Sequence, residues 1–533
     1  MGSAAPAAEC EGRWSRFFVW SSGFSRSDTR SDRVNAGLRT QILLSRFVRA
    51  EQHPAALPSA TRCFFPVLAA LGLSACAIGP SYHPSGSAEL GIPTAWHARF
   101  PHGGSVTELT QWWYRTDDPV LTKFIEVAEV SSPNLAFAAG RVRAVRAGLQ
   151  SNRAPLFPSV QGTGSVTRAT STSVSASGSS NDTLIVTSTQ GALDAFWELD
   201  ILGGTRRSVA VGRAMLESAD ADWHDARVTL AAEVANAYAT ARFYQRLVSR
   251  YDEELTSRRA THELTEFKIR EGFLAPTARL STDASAALAA SNLEQQRSQY
   301  ALTLNRLAML TGLAHTEIES ALGATGNIPR IDLPIDYLLP ATIISQRPDV
   351  RSSERQLAAT SERIGVAMAD ALPSLSLGGF IGVNRVRIGG ASTTQDSWSF
   401  GPALNVPVFT GGAYAARIES ARASYDQSLA SYRATVIAAV NEIEDALVRI
   451  DAVSRRRDDA TRAATNFRAF FEAIEKSYRE GKSSLLELED ARRQRLLSEE
   501  QLLSIQVEEA QAWIALYKAA GGGWEASAAT ATP

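Results

Sequence analysis

The sequence predicts a mainly α-helical chain that also supplies part of a membrane β-barrel. It carries two structural repeats per chain, and three chains together give a 12-stranded β-barrel on a long α-helical barrel. Three observations predict this. A strand pattern over Trp398–Val408 runs straight into a proline-free, apolar-seamed segment from about 413 to 480. The same short motifs recur about 210 positions apart. The chain also holds only four amphipathic strands, too few to close a barrel alone.

Taken in order, the chain begins with a leader. Lys+Arg 54 against Asp+Glu 56 gives a net charge of −2, so nothing points to nucleic acid. No apolar run reaches the ~18 residues of a membrane helix. The best candidate, Cys63–Leu73, is 11 residues long, the size of a signal-peptide core. Arg62 is its basic flank, and Leu73-Ser74-Ala75-Cys76 closes it with small residues before a cysteine. This stretch resembles the cleavage and acylation site of bacterial lipoproteins, which makes Cys76 the expected lipid-attachment residue and 1–75 a removed leader. Residues 1–60 precede the point where such a signal should start and read as a misassigned start or a long leader. Of Cys10, Cys63 and Cys76 only the last survives such cleavage, which excludes a disulfide within the mature chain.

Residues 76–118 are rich in Gly, Pro, Ser and His and hold Trp96, Trp112 and Trp113. They predict an extended arm packed on a larger body, without a core of its own. Asp117-Asp118-Pro119 then gives a helix start with proline in the first turn.

The first repeat spans 119–312. Val160, Gly162, Gly164 and Val166 alternate with Gln161, Thr163, Ser165 and Thr167, the period of a strand. Ala169–Thr183 is almost all Ser, Thr, Gly and Asn and predicts an exposed hairpin loop. The second strand puts Leu193, Ala195, Trp197 and Leu199 on one face and Asp194, Glu198 and Asp200 on the other. A helix follows, with a seam at Leu230, Val234, Ala237, Ala241, Tyr244, Val248, Tyr251 and Leu255. Arg270-Glu271-Gly272 ends it at a glycine turn, and a return helix runs to Gly312.

Residues 313–347 read as a linker, 348–524 as the second repeat and 525–533 as a tail. Pro133, Ala144, Pro158 and Ser159 reappear 215 positions later as Pro348, Ala359, Pro373 and Ser374. Gly203-Gly204 returns as Gly411-Gly412, Arg270-Glu271-Gly272 as Arg479-Glu480-Gly481, and Gly312 as Gly521. In the last strand Trp398, Phe400, Leu404, Val406 and Val408 share one face, with Ser399, Gly401, Ala403 and Asn405 on the other. At 1.5 Å per residue the helix beyond it is on the order of 100 Å long, too long for a globular core. Leu429, Val436, Val440, Ile443, Leu447 and Ile450 form its seam, and Leu496, Leu503, Val507, Ala510, Ile514 and Tyr517 continue the register on the return helix.

An open four-stranded sheet leaves unpaired N–H and C=O groups in hydrocarbon, so copies of the chain must close it. Three copies give twelve strands.

These motifs resemble the outer-membrane factor (TolC-like) family of tripartite efflux systems, and its lipoprotein branch in particular, over roughly 76–524. The residues that carry the resemblance are Leu73-Ser74-Ala75-Cys76 with Gly79-Pro80, then Phe157-Pro158-Ser159 and Trp197-Glu198-Leu199-Asp200. Ser345-Gln346-Arg347-Pro348-Asp349-Val350 is the most specific, followed by Leu372-Pro373-Ser374, Val406-Pro407-Val408-Phe409-Thr410-Gly411-Gly412 and Gly521-Gly522-Gly523-Trp524.

The resemblance implies a homotrimer in the outer membrane with a periplasmic helical tube, acting as a passive exit duct for small molecules. It implies two partners: a periplasmic adaptor (membrane fusion) protein that meets the helix tips at Gly272 and Gly481, and an inner-membrane transporter of the resistance-nodulation-division (RND) type. It also implies an acidic periplasmic gate, which falls on Glu475 with Phe471 one turn earlier. Pro276, just after the first tip, departs from the second repeat and is expected to shift the start of the return helix. A duct for protein secretion and a lipid-anchored periplasmic coiled-coil scaffold are the alternative readings. His262-Glu263-Leu264-Thr265-Glu266 lacks the second histidine of a zinc site, and Gly481-Lys482-Ser483 lacks the glycine of a phosphate loop. Neither supports an enzyme, a cofactor or a metal.

Overall fold

The computed structural model describes residues 78–84, 86, 89–90, 92–93, 96–97, 113, 118–174, 181–324, 326–331 and 340–523. All of these belong to one compact unit, Ser74–Pro533. Cys76 and residues 175–180 lie outside the described residues.

Helices α1 (Pro119–Ser131) and α2 (Pro133–Arg153) open the first repeat. Asp118 caps α1 by accepting from the amides of Val120 and Leu121, as its acidic start predicts. Strands β1 (Ser159–Val174) and β2 (Asn181–Leu199) follow, then α3 (Gly204–Arg270) and α4 (Thr277–Thr311). The region 313–347, expected as plain linker, contains two short helices, α5 (His315–Leu322) and α6 (Pro340–Ser345). In α5, Ile318 and Leu322 are buried, which supports a helix there. The second repeat runs α7 (Pro348–Asp370), β3 (Ser374–Ile388), β4 (Ala391–Asn405), α8 (Ala413–Arg479) and α9 (Leu485–Ala519). The long helices α3 and α8 are each 67 residues, and the return helices α4 and α9 are each 35.

The four strands form one antiparallel sheet in the order β1-β2-β3-β4. Register carries the alternation across both repeats. Gly162 pairs with Leu193, Leu193 with Ile381 and Ile381 with Trp398; the next row joins Val160, Ala195, Gly379 and Phe400. Residues opposite one another share a face, so this face is apolar, and Trp398 is 79 % and Phe400 71 % exposed. The other face carries Gln161, Thr163, Asp194, Ser188 and Asn384, with Ser188 donating to Asn384 Oδ1 at 2.9 Å.

Two strand limits differ from expectation. The Ser/Thr run expected as a loop over 169–183 is largely ladder, pairing from Ala169↔Val186 to Val174↔Asn181. Threonine is β-branched and suits a strand as well as a turn, so polarity misled there. At the other end β4 stops at Asn405, leaving Val406 and Val408 beyond it. Pro407 has no N–H to give a ladder and ends the strand.

Each long helix packs on its own return helix and on the short helix before its strand pair, and α3 also packs on the second repeat. Toward the glycine turns, α3 packs on α4 and α9, and α8 packs on α9; toward the sheet, α3 packs on α2 and α7, and α7 on α8. The seams are buried as expected at Leu230, Val234, Ala237, Ala241, Tyr251 and Leu255 in α3. In α8 they are buried at Val436, Ile443, Leu447 and Ile450. Tyr244 and Val248 are only half-buried, and Leu247 takes their place in the core.

Candidate functional site: junction, equator and hairpin tips

At the sheet–helix junction, Asp200 turns the chain. Its carboxylate accepts from the amides of Thr205 and Arg206 and pairs with the Arg206 guanidinium at 3.0 Å, so the end of β2 caps the start of α3. Trp197 fixes the other side, donating from Nε1 to the Leu156 carbonyl at 3.2 Å. The arm docks here. Ile78 donates to the Leu202 carbonyl at 3.3 Å. Arg207 donates to the carbonyls of Pro80 and Gly79 and pairs with Glu362 at 2.7 Å. Further along, Tyr82 donates to Glu354 at 2.7 Å, and burial raises its phenol above the usual range.

At the equator, Arg347 opens the Arg347-Pro348-Asp349 motif and is buried. It grips Asp349 with two nitrogens, at 3.0 and 2.7 Å, reaches Glu442 of α8 at 2.7 Å, and donates to the Ala519 carbonyl at the end of α9. Burial would favour the neutral guanidine, but these partners outweigh it and hold the charge more firmly than in water. Gly521 is needed here: a Cβ would come within 2.9 Å of the Arg347 Cα, and its φ is +79°.

The two tips close alike. Phe273 donates to the Lys268 carbonyl at 2.8 Å and Lys482 to the Ser477 carbonyl at 2.9 Å, with Gly272 and Gly481 left-handed between them. This six-to-one closure satisfies the last helix carbonyls. The return helices start differently. Ser484 accepts from Glu487 N while Glu487 accepts from Ser484 N, a reciprocal cap on α9. In the first repeat Pro276 holds the cap position without a side-chain bond, and α4 begins at Thr277.

Glu475 pairs with Arg479 one turn on, at 3.2 Å, with its side chain 27 % exposed. Phe471 is only 3 % exposed and lies in the tip core with Tyr478, Leu488 and Ala491. Arg492 and Arg495 sit over its ring at 5.7 and 4.9 Å. The structure thus leaves Glu475 half-buried and puts Phe471 inside the hairpin, where the aromatic supports the helix instead of facing open space. Phe470, beside it, is the exposed aromatic.

Beneath Phe471 lies a buried charge cluster that sequence reasoning missed. Arg492, fully buried, donates to Ser257 Oγ at 3.1 Å and Thr261 Oγ1 at 2.8 Å and pairs with Glu489. Arg258 pairs with Glu254 at 2.6 Å and Glu489 at 2.7 Å. Burial raises the Glu254 carboxyl above its ordinary range and, first among its causes, lowers the Arg492 guanidinium. Together these pairs lock α3 of one hairpin to α9 of the other. Lys268 adds a bond to the Tyr478 carbonyl at 3.2 Å.

A sheet with an exposed apolar face, set above two long helical hairpins, defines a membrane channel protein that closes with its own copies. The comparisons agree. A family model described as outer membrane efflux protein matches residues 124–313 and 339–522, one match for each repeat. The chain belongs to the outer membrane efflux protein family. It is 29 % identical over 475 residues to nodulation protein T of Rhizobium leguminosarum bv. trifolii, covering 87 % of this chain and 97 % of that one. It is 28 % identical to the solvent efflux pump outer membrane protein SrpC of Pseudomonas putida, covering 87 % and 98 %. Among solved structures it superposes on the outer-membrane channel OprN with a TM-score of 0.72, at 29 % identity, over 84 % of this chain and 100 % of that one. The open-state MtrE channel of Neisseria gonorrhoeae, 24 % identical with a TM-score of 0.71 over 84 % and 98 %, shares the fold. The protein is therefore an outer-membrane efflux channel, with a β-barrel in the outer membrane and a helical tube in the periplasm.

Proposed function

We propose that this channel is the passive exit duct of a tripartite pump for small molecules, anchored by a lipid on Cys76. Its tips are the docking ends for a periplasmic adaptor, which links it to an inner-membrane RND transporter. The observation that carries the docking reading is the pair of equivalent glycine-closed tips. Each leaves a large apolar side chain in the open, Phe273 at 78 % and Leu486 at 80 % exposure. Large apolar groups left exposed at the turn of both hairpins suit an interaction surface. The lipid reading is supported by Ile78, which is hydrogen-bonded at the sheet–helix junction only two residues after Cys76. The proposed lipid on Cys76 would insert into the inner leaflet of the outer membrane. Glu475 is the charged residue of the periplasmic constriction, and Phe471 holds its helix from behind. The efflux names of relatives such as SrpC favour small molecules over secreted protein.

The test uses cysteines in place of Phe273 and Leu486, with a short bifunctional thiol reagent applied to cells that also express a candidate adaptor. Cross-links to the adaptor from both positions are expected. Trimer recovered from the outer membrane without cross-links from either position, while adaptor and pump remain active with the wild-type channel, overturns the docking assignment.

A further inference from the structure

The outward, apolar face of the sheet changes character within one step along the strand. On β3 the residues of that face run Leu375, Leu377, Gly379, Ile381 and Val383, then Arg385 and Arg387. The register puts Arg168 of β1 in the row of Arg387, with Thr187 of β2 between them. Two strand spacings separate Arg168 from Arg387, about 10 Å, and Arg385 lies about 7 Å from Arg387 along β3. All three are exposed. No ion pair among the described residues involves them, and Arg385 makes a contact of 3.5 Å with the Ser392 hydroxyl. Thr187, Thr189, Ser392 and Thr394 surround them with further hydroxyls. The one acid on this face nearby is Asp396, one row closer to the apolar band opposite Val383.

Leu375 to Val383 is nine residues, about what a tilted strand needs to cross hydrocarbon. Arg385 is then the first side chain beyond the lipid tails on the side away from the helices, at headgroup level in the outer leaflet. The opposite face at this height holds Thr167, Ser188, Gln190, Asn384, Thr393 and Gln395, all uncharged. The positive charge is placed toward the lipid and not around the pore mouth. A guanidinium offers a fork of donors that matches phosphate oxygens in pairs, and hydroxyls complete such a shell.

We propose that Arg168, Arg385 and Arg387 form a phosphate-binding patch on the lipid-facing rim of the barrel, which holds the phosphorylated headgroups of outer-leaflet lipid. The proposal rests on the outer-membrane placement of the sheet. Basic residues grouped at a membrane surface bind anionic headgroups in this way.

The experiment incubates the detergent-purified full-length trimer with diphosphorylated lipid A or with its dephosphorylated form, and counts bound lipid by native mass spectrometry. The wild type should retain the diphosphorylated form and lose the other. Each arginine changed to glutamine should weaken retention roughly fivefold, so that R168Q/R385Q/R387Q keeps almost none. The control Arg449→Gln, at an exposed position on α8, should match the wild type. Equal retention by the wild type and the triple variant overturns the proposal, as does equal binding of the two lipid forms. Displacement of the lipid by inorganic phosphate at millimolar concentration reassigns the patch to a free anion and also overturns it. Recovery of the variant as an outer-membrane trimer separates loss of the patch from failure of the barrel, and the single variants R385Q and R387Q carry the test if the triple does not assemble.

Discussion

Arg347 donates to the carbonyl of Ala519 at 2.7 Å, joining residues 172 positions apart at the equator of the helical body. Its remaining donors go to Asp349 and Glu442, so one side chain ties the end of the linker to α7, α8 and α9.

Arg347→Ala should therefore be among the most destabilising single changes in the helical body. It strands Asp349 and a buried carbonyl, at a cost of about 3 kcal/mol. Arg347→Lys should recover less than half of this, because an ammonium cannot grip Asp349 with two parallel bonds. Thermal unfolding of the purified trimer followed by circular dichroism checks both; equal midpoints for wild type and Arg347→Ala contradict the role.

Cys76→Ser should abolish acylation. Mass spectrometry of the mature N-terminus is expected to show a lipid-modified Cys76 in the wild type. A mature chain that starts upstream of residue 60 without a lipid contradicts this.

The hairpin end of β1 and β2 should face the cell exterior. Because the ladder reaches Val174 and resumes at Asn181, the probe belongs in 175–180. Ser177→Cys should react with a membrane-impermeant maleimide on intact cells. Reaction only after the outer membrane is opened reverses the topology.

In the proposed periplasmic constriction, three copies of Glu475 would repel one another. At ~6 Å and an effective dielectric of ~20 each pair costs roughly 3 kcal/mol, so the ring attracts cations. Glu475→Gln should lower cation selectivity in a planar bilayer and weaken block by divalent ions, with trimer yield unchanged. Arg479 competes for the same carboxylate at 3.2 Å. Identical selectivity in wild type and Glu475→Gln assigns the residue to that helix-surface pair alone, worth about 0.3–0.5 kcal/mol.

Burial raises the Glu254 carboxyl, so the folded protein holds this proton more tightly than the unfolded chain does. The stabilisation it brings is present below the ordinary carboxylate range and is lost as pH rises through the raised value. The difference in thermal midpoint between wild type and Glu254→Gln should move in favour of the wild type as pH falls from neutral. A difference independent of pH shows that Glu254 titrates alike in both states.

Much of this fold is legible in the sequence because the chain states it twice. Gly272 and Gly481, Gly203 and Gly411, and the apolar seams of α3 and α8 confirm one another across the repeat. Local composition was a poorer guide where one residue type serves two structures, as threonine does between 169 and 174. The tip cluster was illegible for a different reason. Arg492 and Glu254 look like ordinary members of charged helix faces, and only the crossing of α3 and α9 brings partners more than 230 positions apart into one buried group. The same crossing decides Phe471, whose side chain turns into the hairpin core while the neighbouring Phe470 turns out. For Arg347 the motif signalled that the residue mattered, but its grip on Ala519 required the return of α9.

The matched lengths of the helices, 67 and 67 outward and 35 and 35 back, restrict how this chain can change over time. Deleting seven residues from α3 alone shortens it by about 10 Å, about two turns, and pulls its tip out of level with the other. Its return helix would have to lose the same stretch to keep the seam in phase, and α8 and α9 would have to follow. Insertions and deletions in the shaft are therefore tolerated only as a coordinated set of four. Single substitutions carry no such condition, so the depth to which the tube reaches should drift far more slowly than the residues that build it.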